Sequence, residues 1–251
     1  MSFKDHFSAH ASLYAEARPR YPDALFQWLA AQSPNTALAW DAGCGNGQAS
    51  IALARYFDRV IGTDPSAAQI AAAEPAARVE YRVEPAEQPS LADGSVDLVT
   101  VAQAFHWFDL PRFHAAVARV LRPGGVLAVW SYGLCRVTTE IDALFDRLYE
   151  PVLGPFWPAE RHHVENGYRE LSFPLPELTD MPAFAMQPQW TLAQYLAYLR
   201  TWSAVQRYIA ARGTDPVAEL ADAFAAAWGD PAQVRAVNFP LRLRVGRKAT
   251  G

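Results

Sequence analysis

The sequence of 251 residues has little of several features that would narrow its class. It has two cysteines, Cys44 and Cys135, which offer no disulfide framework. No apolar run approaches the roughly 18 residues that a membrane-spanning helix needs. The first residues, MSFKDHFSAH, lack the basic and then apolar layout of a secretion signal. These absences predict a soluble, cytoplasmic protein.

Basic charge is also scarce. The formal net charge is −4, and the sequence contains no run of lysine and arginine. A nucleic-acid-binding protein usually carries a basic excess or stripe. The short basic stretch LRLRVGRKATG is interpreted as a last strand with an exposed charged face. We therefore expect neither nucleic acid nor membrane as a partner, and the oligomeric state stays open.

Short apolar runs alternate with helical segments of about ten residues between positions 37 and 132. This alternation predicts βαβ units and a mostly parallel sheet with helices on both faces. About half of the residues are hydrophobic (51%), which is enough for the core of one large α/β domain. The strand candidates are ALAWDAG, DRVIGTD, ARVEYRVEP, SVDLVTVAQ and GGVLAVWSY.

The rhythm changes after Tyr132. A helix is predicted over 138–150, and the segment 151–189 is rich in proline and aromatic residues, which favours irregular structure packed on the domain. One long helix is predicted over 191–211, opened by a Thr191 cap, and another between Asp215 and Gly229. The stretches FAMQPQW and VNFPLRLRV would complete a doubly wound sheet of seven strands, the last one antiparallel.

The stretch AWDAGCGNGQAS follows the first predicted strand and has three glycines in five positions. Ligands of open parallel sheets bind beyond the carboxyl ends of the strands, and glycines let a ligand approach the backbone closely. A dinucleotide loop has the spacing GxGxxG, whose third glycine would fall here on Gln48. Asp41 would repel a pyrophosphate but suit an ammonium group. A ligand with an amino-acid part and no phosphate is therefore favoured over NAD.

Five ordered stretches carry a resemblance to a known family. DAGCGNG resembles the first motif of class I S-adenosylmethionine-dependent methyltransferases, and VIGTDPS resembles the second. VEPAEQPSLADGSVDLVTVAQAFHWFD and VLRPGGVLAVW are similar to the following blocks, while RPRYP, FHWFD and RTWSAVQ are typical of the methyltransferase type 11, trans-aconitate-methyltransferase-like subgroup. The resemblance implies methyl transfer from S-adenosylmethionine to a small molecule, leaving S-adenosylhomocysteine. An NAD-type oxidoreductase and a non-catalytic binding protein remain the alternatives.

The resemblance also implies a set of cofactor-binding residues. Asp64 would hold both ribose hydroxyls, Ala86 and Glu87 would lie beside the adenine, and Gln103 would lie under the methionine part. Arg18 could fork onto the cofactor carboxylate. Cys44 is interpreted as a small loop residue, not as a nucleophile. The full set is Tyr14, Arg18, Asp41, Gly43, Cys44, Gly45, Gly47, Asp64, Pro65, Gln69, Ala86, Glu87, Gln103 and Ala104.

The stretch AQAFHWFD follows the fourth predicted strand and should face the methyl acceptor. His106 is the candidate general base, because its reference pKa near 6.5 suits proton removal, although it could equally only hydrogen-bond. An acceptor that is already an anion would need little help from a base. The side chains that could line the acceptor pocket, with core packing as the alternative, are Phe105, Trp107, Tyr198 and Trp202.

Other polar side chains suggest less. His162 and His163 in ERHHVE have no partner at a zinc-ligand spacing, so we expect a solvated stretch and no metal site. Arg136, Arg200 and Arg207 could anchor an acidic substrate, but surface exposure is the default for each.

The expected organisation has four parts. Residues 1–36 would form an N-terminal helical lid, and 37–131 the S-adenosylmethionine-binding α/β core. Residues 132–235 would form a cap and acceptor region that includes a sheet strand near 183–190. Residues 236–251 would supply the final antiparallel strand of the core and the tail.

Overall fold

The computed structural model of the protein describes residues 19–250. The predictions for Tyr14 and Arg18 lie outside the described residues. Within 19–250, seven strands form one sheet in the order β3-β2-β1-β4-β5-β9-β6. Their bounds are β1 Leu38–Ala42, β2 Arg59–Asp64, β3 Val79–Val83, β4 Val96–Ala102, β5 Leu121–Tyr132, β6 Ala185–Met186 and β9 Phe239–Arg247.

The five strands β1 to β5 are parallel, and β9 runs antiparallel to β5. This confirms the doubly wound, mostly parallel sheet and its antiparallel last long strand. The chain proceeds outward from β1 through β2 to β3 and then returns to β4 on the other side of β1. The strand order therefore reverses between β1 and β4, where open sheets bind their ligands.

Both faces of the sheet carry apolar side chains, as β4 shows, and helices cover both faces and bury these side chains. Val99 and Val101 pack in one cluster with Phe113, while Leu98 packs in another with Phe26. The α-helices up to β5 are α1 Asp23–Gln32, α2 Gln48–Leu53, α3 Ala67–Ala71 and α4 Leu110–Val120. The helices after β5 are α5 Thr139–Arg147, α6 Arg161–Glu165, α7 Leu192–Arg200, α8 Ser203–Arg212, α9 Pro216–Glu219 and α10 Ala221–Trp228.

The predicted long helix over 191–211 is wrong, because α7 and α8 are separate helices. Thr191 does cap α7, in a capping box with Gln194. At its end, the Thr201 hydroxyl and backbone N–H both donate to the Tyr198 carbonyl, at 2.6 and 2.9 Å. This local hydrogen bonding competes with the helical pattern. The chain turns, and α8 starts after Trp202, whose backbone is extended.

Two further elements are also divided. The helix predicted between Asp215 and Gly229 is split into α9 and α10 by Leu220, whose φ of −104° and ψ of 2° leave the helical region. The single strand predicted from FAMQPQW is split between two sheets. Met186 ends β6, and Gln189 begins β7 (Gln189–Trp190), which pairs with β8 (Arg235–Ala236). Pro188 lies between them, where its fixed φ and missing N–H do not continue a ladder.

The segment after β5 forms its own hydrophobic cluster. Phe145, Tyr195, Phe224 and Trp228 are fully buried in it, and Phe239 connects it to the sheet. Leu153 and Met186, from the proline-rich segment 151–189, are buried in the same cluster. Within residues 19–250, no helix combines the length and the apolar character needed to cross a membrane.

Candidate functional site

The glycine loop joins the carboxyl end of β1 to α2. Gly43, Gly45 and Gly47 have φ angles of 67°, 54° and 86°, in the left-handed region that favours glycine. Cys44 N–H donates to the Thr63 carbonyl at 3.0 Å, which ties the loop to β2. The loop therefore lies across the ends of both strands and presents bare backbone.

Side chains are also excluded from this loop by its neighbours. A Cβ on Gly43 would lie 2.7 Å from the Ala104 Cβ, and one on Gly47 would lie 2.7 Å from the Tyr81 Cζ. Around Gly45 there is more room, since the nearest atom is the Gln69 Oε1 at 3.7 Å. The loop thus needs glycine for backbone conformation and, at two positions, for space.

Asp41 lies beneath the glycine loop and is completely buried. Ser50 Oγ donates to its Oδ2 at 2.6 Å, and Thr100 Oγ1 donates to its Oδ1 at 2.9 Å. Burial raises the pKa of Asp41 to about 6, although the two hydroxyl hydrogen bonds oppose this shift, and the charge of Asp64 raises it further. The carboxylate therefore connects α2, through Ser50, with β4, through Thr100. Its negative charge lies directly beneath the backbone of the loop.

Asp41→Asn should stabilise the cofactor-free protein at high pH. The unfolded side chain ionises near pH 3.8 and the folded one near 6, so the stability present below pH 3.8 is lost as pH rises through 6. Asparagine removes this penalty, on the order of 2–3 kcal/mol. Urea unfolding at several pH values should show the advantage of the variant growing from pH 4 to pH 7. Parallel curves for the two proteins would contradict the raised pKa, and the exposed Asp93→Asn serves as control.

Asp64 ends β2 and is nearly buried. Its Oδ2 accepts from Gly45 N at 3.0 Å, and its Oδ1 accepts from Ser66 N at 2.9 Å. Ser66, not Asp64, caps α3 by accepting from Gln69 N. The Asp64 carboxylate therefore lies directly against the glycine loop, with Pro65 and Gln69 following it.

Gln103 lies just past the carboxyl end of β4 and has an unusual backbone. Its φ is +62°, a conformation that residues with a side chain rarely adopt and that concentrates at functional sites. Its N–H donates to the Trp130 carbonyl at 3.0 Å. Its side-chain Nε2 is buried and has no hydrogen-bond partner in the part of the chain that the structure describes. A buried amide without a partner is a group that a ligand could satisfy.

The remaining predicted cofactor residues lie at the same edge of the sheet. Ala104 contacts the glycine loop, as its closeness to Gly43 shows. Ala86 is buried after β3, and the carboxylate of Glu87 accepts from Asp109 N at 2.8 Å. Cys44 is inside the loop, and burial together with Asp41 and Asp64 raises the pKa of its thiol, which keeps it protonated and unreactive.

The stretch after Gln103 forms a short 3₁₀ helix, Phe105–Trp107. Of the two alternatives for Phe105, the structure has core packing, because its ring is fully buried against Phe113 and Tyr168. Trp107 is 42% exposed. His106 Nδ1 lies 3.3 Å from the Tyr168 hydroxyl.

The surroundings of His106 move its pKa away from the reference value near 6.5. Burial lowers it to about 3, and the nearby His163 and Arg161 lower it further. The imidazole is therefore neutral at pH 7 and its conjugate acid is strong, so His106 has little power to take a proton. A sequence alone does not reveal this, since the shift comes from burial and from residues more than fifty positions away.

Sequence reasoning missed Arg161, which begins α6. Its Nε donates to the Tyr149 hydroxyl at 3.0 Å and lies 3.5 Å from Glu165. Its guanidinium stands over the Trp157 ring at 4.9 Å. The only sequence signal is the arginine in ERHHVE, which looks like one of several surface arginines.

The aromatic residues Tyr198 and Trp202, predicted to line the acceptor pocket, lie near Tyr149 and Trp157, which contact Arg161. Trp202 lies edge-on to Tyr149 at 5.7 Å and to Tyr198 at 5.9 Å, and 5.5 Å from Trp157. Two of the arginines proposed to anchor an acidic substrate already form ion pairs within the protein. Arg136 pairs with Asp146 and Arg200 pairs with Asp215, each at 2.7 Å. Arg207 lies at the surface and donates to the Phe156 carbonyl.

The fold and this edge define a class of protein: a Rossmann-like α/β protein with a bare glycine loop where the strand order reverses. The family model described as a methyltransferase domain matches residues 40–129. A protein of Dictyostelium discoideum named as a methyltransferase is 35% identical over 98% of this chain and 96% of its own length.

Solved structures of methyltransferases are also similar to this protein. A type II methyltransferase structure from Anaeromyxobacter dehalogenans has a TM-score of 0.90 and 50% identity over 93% of this chain and 99% of its own. A methyltransferase structure from Bacillus halodurans shares the fold, with a TM-score of 0.54 and 20% identity over 91% of this chain and 99% of its own. The chain belongs to the class I S-adenosylmethionine-dependent methyltransferases. It is an enzyme of methyl transfer.

Proposed function

We propose that the protein binds S-adenosylmethionine across the glycine loop and transfers its methyl group to a small molecule held under the cap. The observation that carries the proposal is the loop itself. The loop lies where the strand order reverses, and three of its residues have positive φ angles. Gly45, in the middle of the loop, donates a backbone hydrogen bond to the Asp64 carboxylate.

The residues around the loop suggest a division of roles. The Asp64 carboxylate lies where a ribose would meet the loop and can accept from two hydroxyls. The buried Nε2 of Gln103 would donate to the carboxylate of the methionine part, and Ala86 with Glu87 would flank the base. Asp41 would favour the cofactor's ammonium through its charge, without leaving its hydrogen bonds to Ser50 and Thr100. Tyr14 and Arg18 remain proposals outside the described residues.

The cavity on the acceptor side has charged and aromatic side chains in its wall and next to it. It has a volume of about 410 Å³ and lies beside the carboxyl end of β5. Its wall contains Tyr149, the two arginines Arg136 and Arg242, and the three carboxylates Asp146, Glu150 and Glu165. Arg161 is not part of this wall but contacts two of its residues, Tyr149 and Glu165. Aromatic rings suit a planar or apolar ligand, and a guanidinium suits a carboxylate or phenolate. We therefore propose a planar acceptor that carries an anionic oxygen.

The transfer itself asks little of the protein's acids and bases. When bound, S-adenosylmethionine supplies an activated methyl group on a sulfonium. The chain's residues align the acceptor with it and exclude water. His106 would orient the acceptor through hydrogen bonds, since its low pKa leaves it a weak base. This arrangement fits an acceptor that arrives already ionised.

Calorimetry and a transfer assay test the proposal together. We expect S-adenosylhomocysteine to bind with one-to-one stoichiometry and NADH not to bind. Incubation with methyl-labelled S-adenosylmethionine and planar acids such as benzoate derivatives should label a small molecule. Arg161→Gln should leave cofactor binding unchanged and slow labelling, whereas Arg200→Gln should change neither. Tight NADH binding without a response to S-adenosylhomocysteine would discard the proposal, and cofactor binding without any labelling would indicate a pure binding protein.

His106→Asn should keep most of the transfer rate between pH 6 and 8. Asparagine can place a polar atom near the Nδ1 position and so retain the contact with Tyr168. The variant loses little catalytic power as a base, because an imidazole with a pKa of about 3 accepts a proton only weakly. The measurement is the rate against pH for both proteins. Loss of roughly 100-fold or more, the size of a general-base contribution, would assign His106 that role instead.

A further inference from the structure

Three potential metal ligands, two adjacent histidines and a glutamate that follows them, meet on the surface of the cap. His162 and His163 lie in α6, and Glu170 follows it. One ligand atom from each residue lies within 4.8 Å of the other two. The His162 Nε2 is 3.4 Å from the Glu170 Oε2. Two ligands bound to one tetrahedral Zn²⁺ at 2.0–2.2 Å are about 3.4 Å apart, so this pair already has the required spacing.

The other ring nitrogen of His162 makes the arrangement more specific. Its Nδ1 lies 2.6 Å from the Ala159 carbonyl oxygen, an acceptor, so Nδ1 must carry a proton there. In the neutral ring, Nε2 then points a lone pair at a carboxylate. Both atoms can therefore act as ligand atoms towards the same cation.

The surroundings of the two side chains resemble those of metal ligands. Ligating imidazoles usually donate their second N–H to a carbonyl or carboxylate, and ligating carboxylates are hydrogen-bonded in turn. His162 has such a bond to Ala159, and the other oxygen of Glu170 accepts from Asn166 Nδ2 at 3.1 Å. Both ligands are therefore oriented by partners that leave one atom free for a metal.

His163 completes the set. Its ring centre lies 3.7 Å from that of His162. Its Nδ1 is buried with no hydrogen-bond partner among the described residues. The carboxylates of Glu160 and Glu170 act on it electrostatically, which adds negative charge for a dication.

We propose that His162, His163 and Glu170 bind one divalent ion of the Zn²⁺, Co²⁺ or Ni²⁺ type, with water in the open position. Two imidazoles and one carboxylate suit these ions and not Mg²⁺, which prefers oxygen ligands. The ion would close the turn at Gly167 and Tyr168, both of which have positive φ angles. It would thereby fix the segment that carries Arg161 and presents the Tyr168 hydroxyl to His106.

The test is Zn²⁺ titration of the full chain, without an affinity tag, by calorimetry and by equilibrium dialysis. We expect one saturable site, with Co²⁺ binding competitively and Mg²⁺ not binding. The Kd should rise by roughly tenfold or more in His162→Ala and in Glu170→Gln. The matched control Glu219→Gln, an exposed carboxylate elsewhere in the cap, should stay within about twofold of the parent.

Melting temperatures provide the second readout and show that each variant folds. Zn²⁺ should raise the melting temperature of the parent and of Glu219→Gln but not that of the two site variants, because only a ligand of the folded state stabilises it. Absence of saturable binding when Zn²⁺ is raised to about 100-fold over the protein concentration would overturn the proposal. Equal Zn²⁺ affinity in the parent and in all three variants would also overturn it. Neither result bears on S-adenosylhomocysteine binding, so the proposed function is tested separately.

Discussion

Asp64→Ala should weaken S-adenosylhomocysteine binding by about 1–3 kcal/mol, the value of charge-assisted hydrogen bonds to the ribose. The carboxylate also holds the loop, because it accepts from Gly45 N and Ser66 N. Its removal therefore takes away a ligand contact and loosens the backbone on which the ligand lies. Calorimetry with the product cofactor measures the combined loss.

Two controls separate these contributions. Asp64→Asn keeps one carbonyl oxygen for the loop but loses the charge, so it should fall between the parent and Asp64→Ala. Asp93→Ala removes an exposed carboxylate that pairs with Arg119 and should leave cofactor binding unchanged. The melting temperature without cofactor reports loosening of the loop alone. A folded Asp64→Ala variant with parental affinity would show that the ribose binds elsewhere.

Gly47→Ala should damage both stability and cofactor binding. Its φ of +86° costs an L-residue about 1–2 kcal/mol, and its new Cβ would meet the Tyr81 ring. Either Tyr81 moves or the first turn of α2 shifts, and the second change displaces the N–H groups of the loop. We expect S-adenosylhomocysteine affinity to fall by roughly tenfold or more, since a helix N-terminus binds its ligand through those groups.

Gly94→Ala is the matched comparison for the backbone effect. Gly94 also has a positive φ, 58°, but an added Cβ there meets nothing within 4 Å. Its loss of stability measures strain alone, and its cofactor affinity should be unchanged. A Gly47→Ala, Tyr81→Ala double variant removes the collision and should recover part of the stability. If Gly47→Ala behaved like Gly94→Ala in both measurements, close packing at the loop would not matter for the ligand.

The secondary structure around the cofactor edge is largely predictable from the sequence. The alternation of apolar strands and helical segments over 37–132 predicts a parallel sheet, and the structure confirms it in β1 to β5. The glycine loop is predictable for a stereochemical reason, since three glycines after a buried strand indicate backbone that side chains cannot adopt. The breaks at Thr201 and Leu220 were missed, because apolar helical spacing continues across both.

The electrostatics of the site were not predictable in the same way. The sequence predicts Asp41 as a ligand-binding residue, but only the structure shows that its carboxylate is buried beneath the loop and accepts hydrogen bonds from Ser50 and Thr100. His106 looked like a base with an ordinary pKa until burial and Arg161 lowered it. The nearest sequence neighbours of these residues carry no information about either change.

The sequence by itself determined the parallel strands β1 to β5, the long strand β9 and the turn of bare backbone after β1, because these depend on local periodicity and on the φ angles that glycine allows. Both are properties of neighbouring residues. The class of the enzyme was predicted from the resemblance of five ordered stretches to a known family. The tertiary structure alone decided that Arg161 joins Tyr149, that His106 is neutral and that Glu170 faces His162. Desolvation and long-range contact set those features, and each arises only when distant segments of the chain pack together.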